Sequence, residues 1–167
     1  DGETWQTVNF LGSKNWNYVS SSQDGSRIVV IGYNDYIYTS SDFGATWNKQ
    51  EGLGVKGWKF VNTSSDSFKI LAVAEEGYFY VSTNFGETWQ EMGPYNTSGD
   101  FQLRYSKDGS RLFGFQGGLK VSLDDGLTWF LQPGTATSYG VYWKTVIPYQ
   151  NTSKALALKN DGYLYFG

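Results

Sequence analysis

Short apolar runs separated by polar, glycine-bearing turns recur along the chain at a regular interval. Residues 28–31, 70–74, 112–115 and 155–158 are almost continuously apolar, and polar turns such as Gln23-Asp24-Gly25-Ser26 and Lys107-Asp108-Gly109-Ser110 precede them. An aromatic residue opens the preceding segment of every unit: Trp16, Trp58, Phe101 and Trp143. After each run a second turn leads to Tyr36-Ile37-Tyr38, Tyr78-Phe79-Tyr80, Leu119-Lys120-Val121 or Tyr163-Leu164-Tyr165. Runs this short, bounded by Asp-Gly type turns, predict β-strands joined as consecutive hairpins. No window sustains a 3.6-residue apolar period, so helix is nearly excluded.

The third strand of each unit closes on an eight-residue motif. Ser40-Ser41-Asp42-Phe43-Gly44-Ala45-Thr46-Trp47 recurs as Ser82-Thr83-Asn84-Phe85-Gly86-Glu87-Thr88-Trp89 and as Ser122-Leu123-Asp124-Asp125-Gly126-Leu127-Thr128-Trp129. The chain opens on the tail of a fourth copy, Asp1-Gly2-Glu3-Thr4-Trp5, and the motif tryptophans are spaced by 42, 42 and 40 residues. Four short strands per unit of this length predict the blade of a β-propeller, because one unit cannot bury both of its faces alone. The pattern resembles the Asp-box, or BNR, repeat found in sialidase, sortilin-type and two-domain xyloglucanase propellers and in photosystem assembly factors. The expected fold is all-β: one domain over residues 1–167, four Asp-box blades of four antiparallel strands each. A four-blade portion of a longer repeat protein is the other reading.

The motif residues have local structural work to do. Asp42, Asn84 and Asp124 can accept hydrogen bonds from backbone N–H groups a few residues on, which fixes the turn. Gly44, Gly86 and Gly126 are expected at positive φ. Trp47, Trp89 and Trp129 are expected inside the blade core with the indole N–H bonded to backbone. Thr46, Thr88 and Thr128 complete the pattern. The resemblance implies that these boxes lie on the outer rim, away from any ligand. The doubled carboxylate Asp124-Asp125 is a weak cation candidate at most.

Composition then removes function classes. There is no His and no Cys, so Ser-His triads, thiol nucleophiles and the commonest zinc ligands are absent together. No cofactor is expected. A net charge of −3 with 13 scattered Lys and Arg argues against nucleic acid, which needs clustered base. No eighteen-residue apolar run exists, so no membrane span is expected. The start at Asp1, with no signal-like segment, reads as a processed product or a slice of something longer.

Catalysis fares poorly too. The resemblance suggests sialidase chemistry, which needs an arginine triad. However, Arg27 and Arg111 follow the repeat as scaffold, and only Arg104 stands alone. Two-carboxylate hydrolysis needs acids facing across a cleft, yet Asp35, Glu75, Glu76 and Asp161 all fall in the same inter-strand turn. The chain reads as a non-enzymatic, extracellular or cell-surface module for protein interaction, adhesion or coat- and filament-type assembly. A lectin-like carbohydrate binder is the alternative, and a glycoside hydrolase fragment is third. Partners are then protein or glycan. Tyr139, Tyr142 and Trp143, beside Ser138, are the candidate ligand contacts, since exposed aromatics suit sugar or protein stacking. The Asn-Thr-Ser sequons at Asn62, Asn96 and Asn151 are candidate glycosylation sites, expected in turns and a connector. Finally, the N-terminal strand should pair with the C-terminal hairpin and complete the last blade. Self-association through the terminal strands is the other way to fill those edges.

Overall fold

Four antiparallel meanders follow one another in the computed structural model, which describes residues 4–93, 103–115, 117–137, 142–148 and 154–167. The first comprises β1 (Trp16–Ser21), β2 (Ile28–Asp35), β3 (Ile37–Ser40) and β4 (Asn48–Gln50). The second comprises β5 (Lys56–Thr63), β6 (Ile70–Ala74), β7 (Phe79–Ser82) and β8 (Gln90–Met92). The third comprises β9 (Arg104–Tyr105), β10 (Leu112–Phe115), β11 (Leu119–Ser122) and β12 (Phe130–Leu131). The fourth has β13 (Trp143–Pro148), β14 (Ala155–Lys159) and β15 (Leu164–Phe166). Within each meander consecutive strands pair antiparallel, and blades one and two also join through Tyr33↔Gly57 and Asp35↔Lys56. The register slips one residue after Trp16, Trp58 and Trp143 alike. Such a bulge sharpens the twist of the innermost strand at one repeated place.

The apolar runs predicted as strands are the central strands, and their alternation divides each blade into two faces. One face of blade one, Val29, Ile31 and Ile37, packs against Trp58, Val61, Ile70, Ala72 and Tyr80 of blade two. Blade two repeats the contact through Leu71, Val73, Phe79 and Val81 against Leu103, Tyr105 and Leu112 of blade three. Blade three repeats it through Phe113, Leu119 and Val121 against Trp143, Val146, Ala155 and Ala157 of blade four. The core therefore lies between blades rather than within them, and period-two side-chain alternation is what supplies both faces.

The innermost strands are also laced by polar contacts. Gln23 N–H donates to Ser65 O at 2.7 Å, and Ser65 N–H donates to Lys107 O at 2.6 Å, so one bond passes from turn to turn across three blades. The Asn17 amide donates to Trp58 O at 2.8 Å, and the Ser20 and Thr63 hydroxyls pair at 2.9 Å.

The expected completion of the last blade by the N-terminus is not what the structure shows. Residues 4–9 form no strand, Trp5 is 91% exposed, and β15 has no partner besides β14 among the described residues. Val8 and Leu11 instead line an apolar hollow on the open face of blade one, beside Trp16, Val19 and Ile28.

Candidate functional site

Two kinds of polar construction stand out, one repeated at the rim and one shared at the centre. At the rim, each Asp box is a closed network around a buried serine. The Ser40 hydroxyl donates to Asp42 at 2.8 Å and accepts from Gly44 N–H at 2.9 Å. Asp42 in turn accepts from Thr46 N–H at 2.8 Å and from its hydroxyl at 2.6 Å. Ser122, Asp124, Gly126 and Thr128 repeat this to within 0.2 Å. In the middle box Asn84 keeps the geometry: its oxygen accepts from Thr88 N–H at 2.9 Å, and its amide donates to the Thr88 hydroxyl at 2.9 Å. Gly44, Gly86 and Gly126 all have positive φ, as expected.

Trp89 and Trp129 are half-buried at the seams between blades and Trp47 is half-buried beside the hollow of blade one, which corrects the expectation of a place inside their own blade. Trp129 meets Phe79 of blade two edge-on at 6.5 Å, and Trp89 packs on the blade one–two core. The reason is that the short fourth strand exposes the indole toward the neighbouring blade. Trp47 and Trp129 donate to Gly44 O and Gly126 O, both at 3.0 Å, while Trp89 Nε1 has no partner among the described residues. Asp125 does engage a cation, but it is the Lys69 ammonium of blade two at 2.7 Å, with the Tyr105 hydroxyl donating to the same oxygen at 3.0 Å. Burial and this carboxylate together push the Tyr105 hydroxyl upward in pKa.

A second Ser-x-Asp unit in each of three blades escaped the sequence reading. Ser22, Ser64 and Ser106 are buried, and each donates to Asp24, Asp66 or Asp108 at 2.6 Å. The same hydroxyls accept from Arg27, Lys69 and Arg111 N–H at 3.0–3.1 Å, which closes the β1–β2 type turn. The signal was present, because this unit repeats with the box's own spelling at a fixed offset.

These networks set the protein's acid response. Asp124 is held down to about 2 by the Thr128 hydroxyl, then the Thr128 N–H and the Ser122 hydroxyl. Asp24 is likewise held at about 2 by the Ser22 hydroxyl and by Ser26, against about 3.9 for a free aspartate. A carboxyl depressed on folding contributes stability above its unfolded pKa and loses it as pH falls through the folded value. The melting temperature should be level down to about pH 5 and decline between about pH 4 and 2. Asp124→Asn should resemble wild type at neutral pH, since Asn84 already fills that role, and should flatten part of the decline. Equal acid slopes for the two proteins would contradict this.

The central construction is a concavity of about 550 Å³ that receives residues from the innermost strands of all four blades. Its lining sets hydroxyl and amide residues, among them Ser20, Ser21, Asn62, Thr63 and Thr145, beside an apolar wall of Val146, Ile147 and Pro148. Among the described residues, Arg104 and Lys107 are its only charged lining residues, in a chain of net charge −3. The Arg104 guanidinium lies 5.2 Å from the Phe60 ring centre, a contact that fixes its direction.

The other sequence-derived candidates fall apart on inspection of their surroundings. Trp143 is buried between blades three and four, stacked on Phe115 at 5.8 Å, with its indole N–H donating to Thr135 O at 3.1 Å. It is a core residue because it holds the place of Trp58, so its assignment as a ligand contact is corrected. Tyr142 is exposed, and its N–H donates to the Asn160 side chain. Asn62 lies within β5, not in a turn, and its side-chain oxygen accepts from Tyr105 N–H at 2.8 Å. This corrects the expectation of an exposed glycosylation turn there. Tyr139, Asn96 and Asn151, like Phe101, lie outside the described residues. No helix among the described residues is long and apolar enough to cross a membrane.

Comparison with known proteins agrees with this geometry. Residues 80–91 match the family model described as BNR/Asp-box repeat. No curated protein matches the chain in sequence. The Niastella koreensis GH74 enzyme superposes with a TM-score of 0.69 at 20% identity, over 91% of this chain and 22% of its own. The Myceliophteria thermophila Cps50 (Swd1) β-propeller domain gives 0.70 at 10% identity, over 92% and 52%. YCF48 bound to D1 peptide gives 0.54 at 13% identity, over 92% and 63%. The chain thus spans between about a fifth and under two-thirds of these proteins. Its fold is that of a β-propeller, and residues 80–91 carry a BNR/Asp-box repeat.

Proposed function

We propose that this chain is a non-catalytic protein-interaction module whose central concavity takes an extended peptide segment bearing carboxylates. The observation that carries the reading is the presence of Arg104 and Lys107 together, among hydroxyl, amide and apolar groups, in a hollow that all four blades line. Backbone groups of an extended peptide would find donors and acceptors in the serines, threonines and Asn62, while the two cations would select acidic side chains or a terminal carboxylate. A similar fold, YCF48, is recorded bound to D1 peptide, which supports peptide recognition by this architecture. Against hydrolysis, the described lining carries no carboxylate, whereas two-carboxylate chemistry needs two. An extracellular setting remains part of the proposal, motivated by the family resemblance of the repeat.

Fluorescence anisotropy with a library of labelled ten-residue peptides tests the reading. Acidic sequences and free C-terminal carboxylates should bind best, and affinity should fall steeply with salt. Arg104→Glu should weaken the best binder at least about tenfold, the scale of one lost charge-assisted hydrogen bond, with the melting temperature little changed. Equal binding of basic and acidic peptides, or turnover of a β-glucan by the chain, would sink the proposal.

A further inference from the structure

The outer edge of blade three is spelled differently from those of blades one and two. Four positions, two in the box and two in the strand it launches, are exposed in each of these blades. Blade one places Ser41, Ala45, Asn48 and Lys49 there, and blade two places Thr83, Glu87, Gln90 and Glu91. Blade three places Leu123, Leu127, Phe130 and Leu131, between 49% and 62% exposed. Strand register fixes the equivalence, since Lys49, Glu91 and Leu131 stand opposite Tyr38, Tyr80 and Lys120. Blades one and two are each followed by a four-stranded blade and still leave these positions in water. The exposure therefore belongs to the place in the blade. Only in blade three is that place filled with large apolar side chains.

The backbone of this edge is open as well. Gln132 N–H donates inward to Leu119 O at 2.8 Å, and Phe130 and Leu131 stand opposite Val121 and Lys120. Hydrogen-bonded and non-hydrogen-bonded pairs alternate along an antiparallel ladder, so the N–H and carbonyl of Leu131 face away from β11. Lys49 and Glu91 hold that outward register in the other two blades, where a charge guards the edge against pairing with its own copy. Leu131 carries no such guard. Side chains alternate across a strand, so Phe130 and Leu131 flank the edge on its two faces, and an edge-on contact covers both. The carboxylates beside them are engaged within the chain, Asp124 by Ser122 and Thr128, Asp125 by Lys69 and Tyr105. Together the four side chains leave roughly 400 Å² of apolar surface in water, a size that marks interaction sites. That is about half of what one partner gives to a standard interface, the share its apolar centre takes.

We propose that blade three pairs edge to edge with blade three of a second copy, β12 against β12, about a two-fold axis at Leu131. The Leu131 residues of the two copies exchange backbone hydrogen bonds, while Leu123, Leu127 and Phe130 of both close over the joint. A second copy is the fitting partner because a two-fold contact sets residues at the axis beside their own images. An uncharged apolar edge is compatible with itself, whereas Glu91 or Lys49 at an axis would face its like. The fourth strand is the outer edge of a blade whatever the number of blades, so this contact does not depend on the two ends of the chain. Nor does it depend on the peptide reading, which concerns the inner strands.

Sedimentation velocity between about 1 and 100 µM tests it, and wild type should shift from monomer to dimer over this range. Phe130→Asn combined with Leu131→Lys copies the Asn48-Lys49 edge of blade one. That variant should keep the wild-type circular dichroism spectrum and stay monomeric at 100 µM. Leu123→Ser with Leu127→Ala, the blade-one spelling of the box, leaves β12 untouched and should weaken dimerisation several-fold. The chain has no cysteine, so Leu131→Cys gives a direct readout of the axis. Mild oxidation should cross-link it to its own copy, because directly opposed strand residues lie within disulfide reach. Lys49→Cys, at the same place in blade one, should remain uncross-linked. A wild-type chain that is monomeric at 100 µM overturns the proposal. If that monomer sediments with phosphatidylcholine vesicles and the Phe130 and Leu131 double variant does not, the edge belongs to a lipid surface instead. A dimer that persists in the double variant, or a Leu131→Cys chain that fails to cross-link, overturns the edge-to-edge geometry.

Discussion

Trp58→Ala should cost about 3–5 kcal/mol of folding stability, while Trp16→Ala, at the same place in the preceding repeat, should cost roughly half of that or less. Both indoles open an inner strand, and both are followed by the same bulge. Their surroundings differ. Trp58 is 0% exposed, enclosed by Val29, Ile31 and Ile37 of blade one and by Tyr80, edge-on at 5.4 Å. Trp16 meets Tyr38 edge-on at 5.7 Å, but its other side faces the hollow. Removing Trp58 leaves a cavity that three strands of neighbouring blades cannot collapse, and cavity plus lost transfer energy set the cost. Trp58→Phe should be far milder, because the indole N–H has no hydrogen-bond partner among the described residues. Urea denaturation of the two variants is the measurement. Equal losses at the two positions would show that the seam does not carry the stability assigned to it.

That contrast also shows what the sequence could and could not convey. The strands, their order and the box turns were legible, because hairpin chemistry is local: a serine, an aspartate, a glycine and a threonine at fixed offsets satisfy one another. Trp16 and Trp58 look alike in the sequence, and only the stacking of blades makes one a keystone and the other a surface. Trp143 misled for the same reason. Its aromatic neighbours suggested an exposed ligand platform, whereas its repeat position made it a seam residue. Asn62 reads as a sequon, but strand register turns its amide toward Tyr105. Arg104 was recognised as standing outside the repeat. That it and Lys107 of the same blade face Ser20, Thr63 and Thr145 of the other three blades in one concavity depends on the curvature of the arc, which is a property of several blades together. The N-terminal segment had a sound local case for strand pairing, yet residues 4–9 form no strand, because the pairing was inferred from sequence offset alone and needs the two ends of a curved arc to meet.

Gly118→Ala should be the most damaging glycine substitution in blade three, costing about 2–5 kcal/mol from backbone strain and overpacking together. Gly118 has φ of 154°, a conformation that residues with a side chain rarely adopt. A Cβ there would lie 2.5 Å from Leu131 Cδ1, 3.0 Å from Thr135 O and 3.2 Å from Ala136 Cα. Leucine could swing aside; the two backbone atoms could not, because the returning segment is laced to this hairpin. Gln132 N–H donates to Leu119 O at 2.8 Å, and Thr137 N–H donates to Gly117 O at 3.1 Å. The Thr135 hydroxyl accepts from Leu119 N–H at 3.1 Å, and Thr135 O holds the Trp143 indole. Displacing Thr135 would therefore loosen the β10–β11 hairpin and the seam to blade four at once. Gly117 makes the control: its φ is 67° and a Cβ there meets nothing within 4 Å. Gly117→Asn should be nearly neutral, since asparagine tolerates that left-handed conformation. Thermal melts of the two variants decide the matter. A Gly118→Ala protein as stable as Gly117→Asn would mean that the returning segment gives way freely and does not brace Trp143.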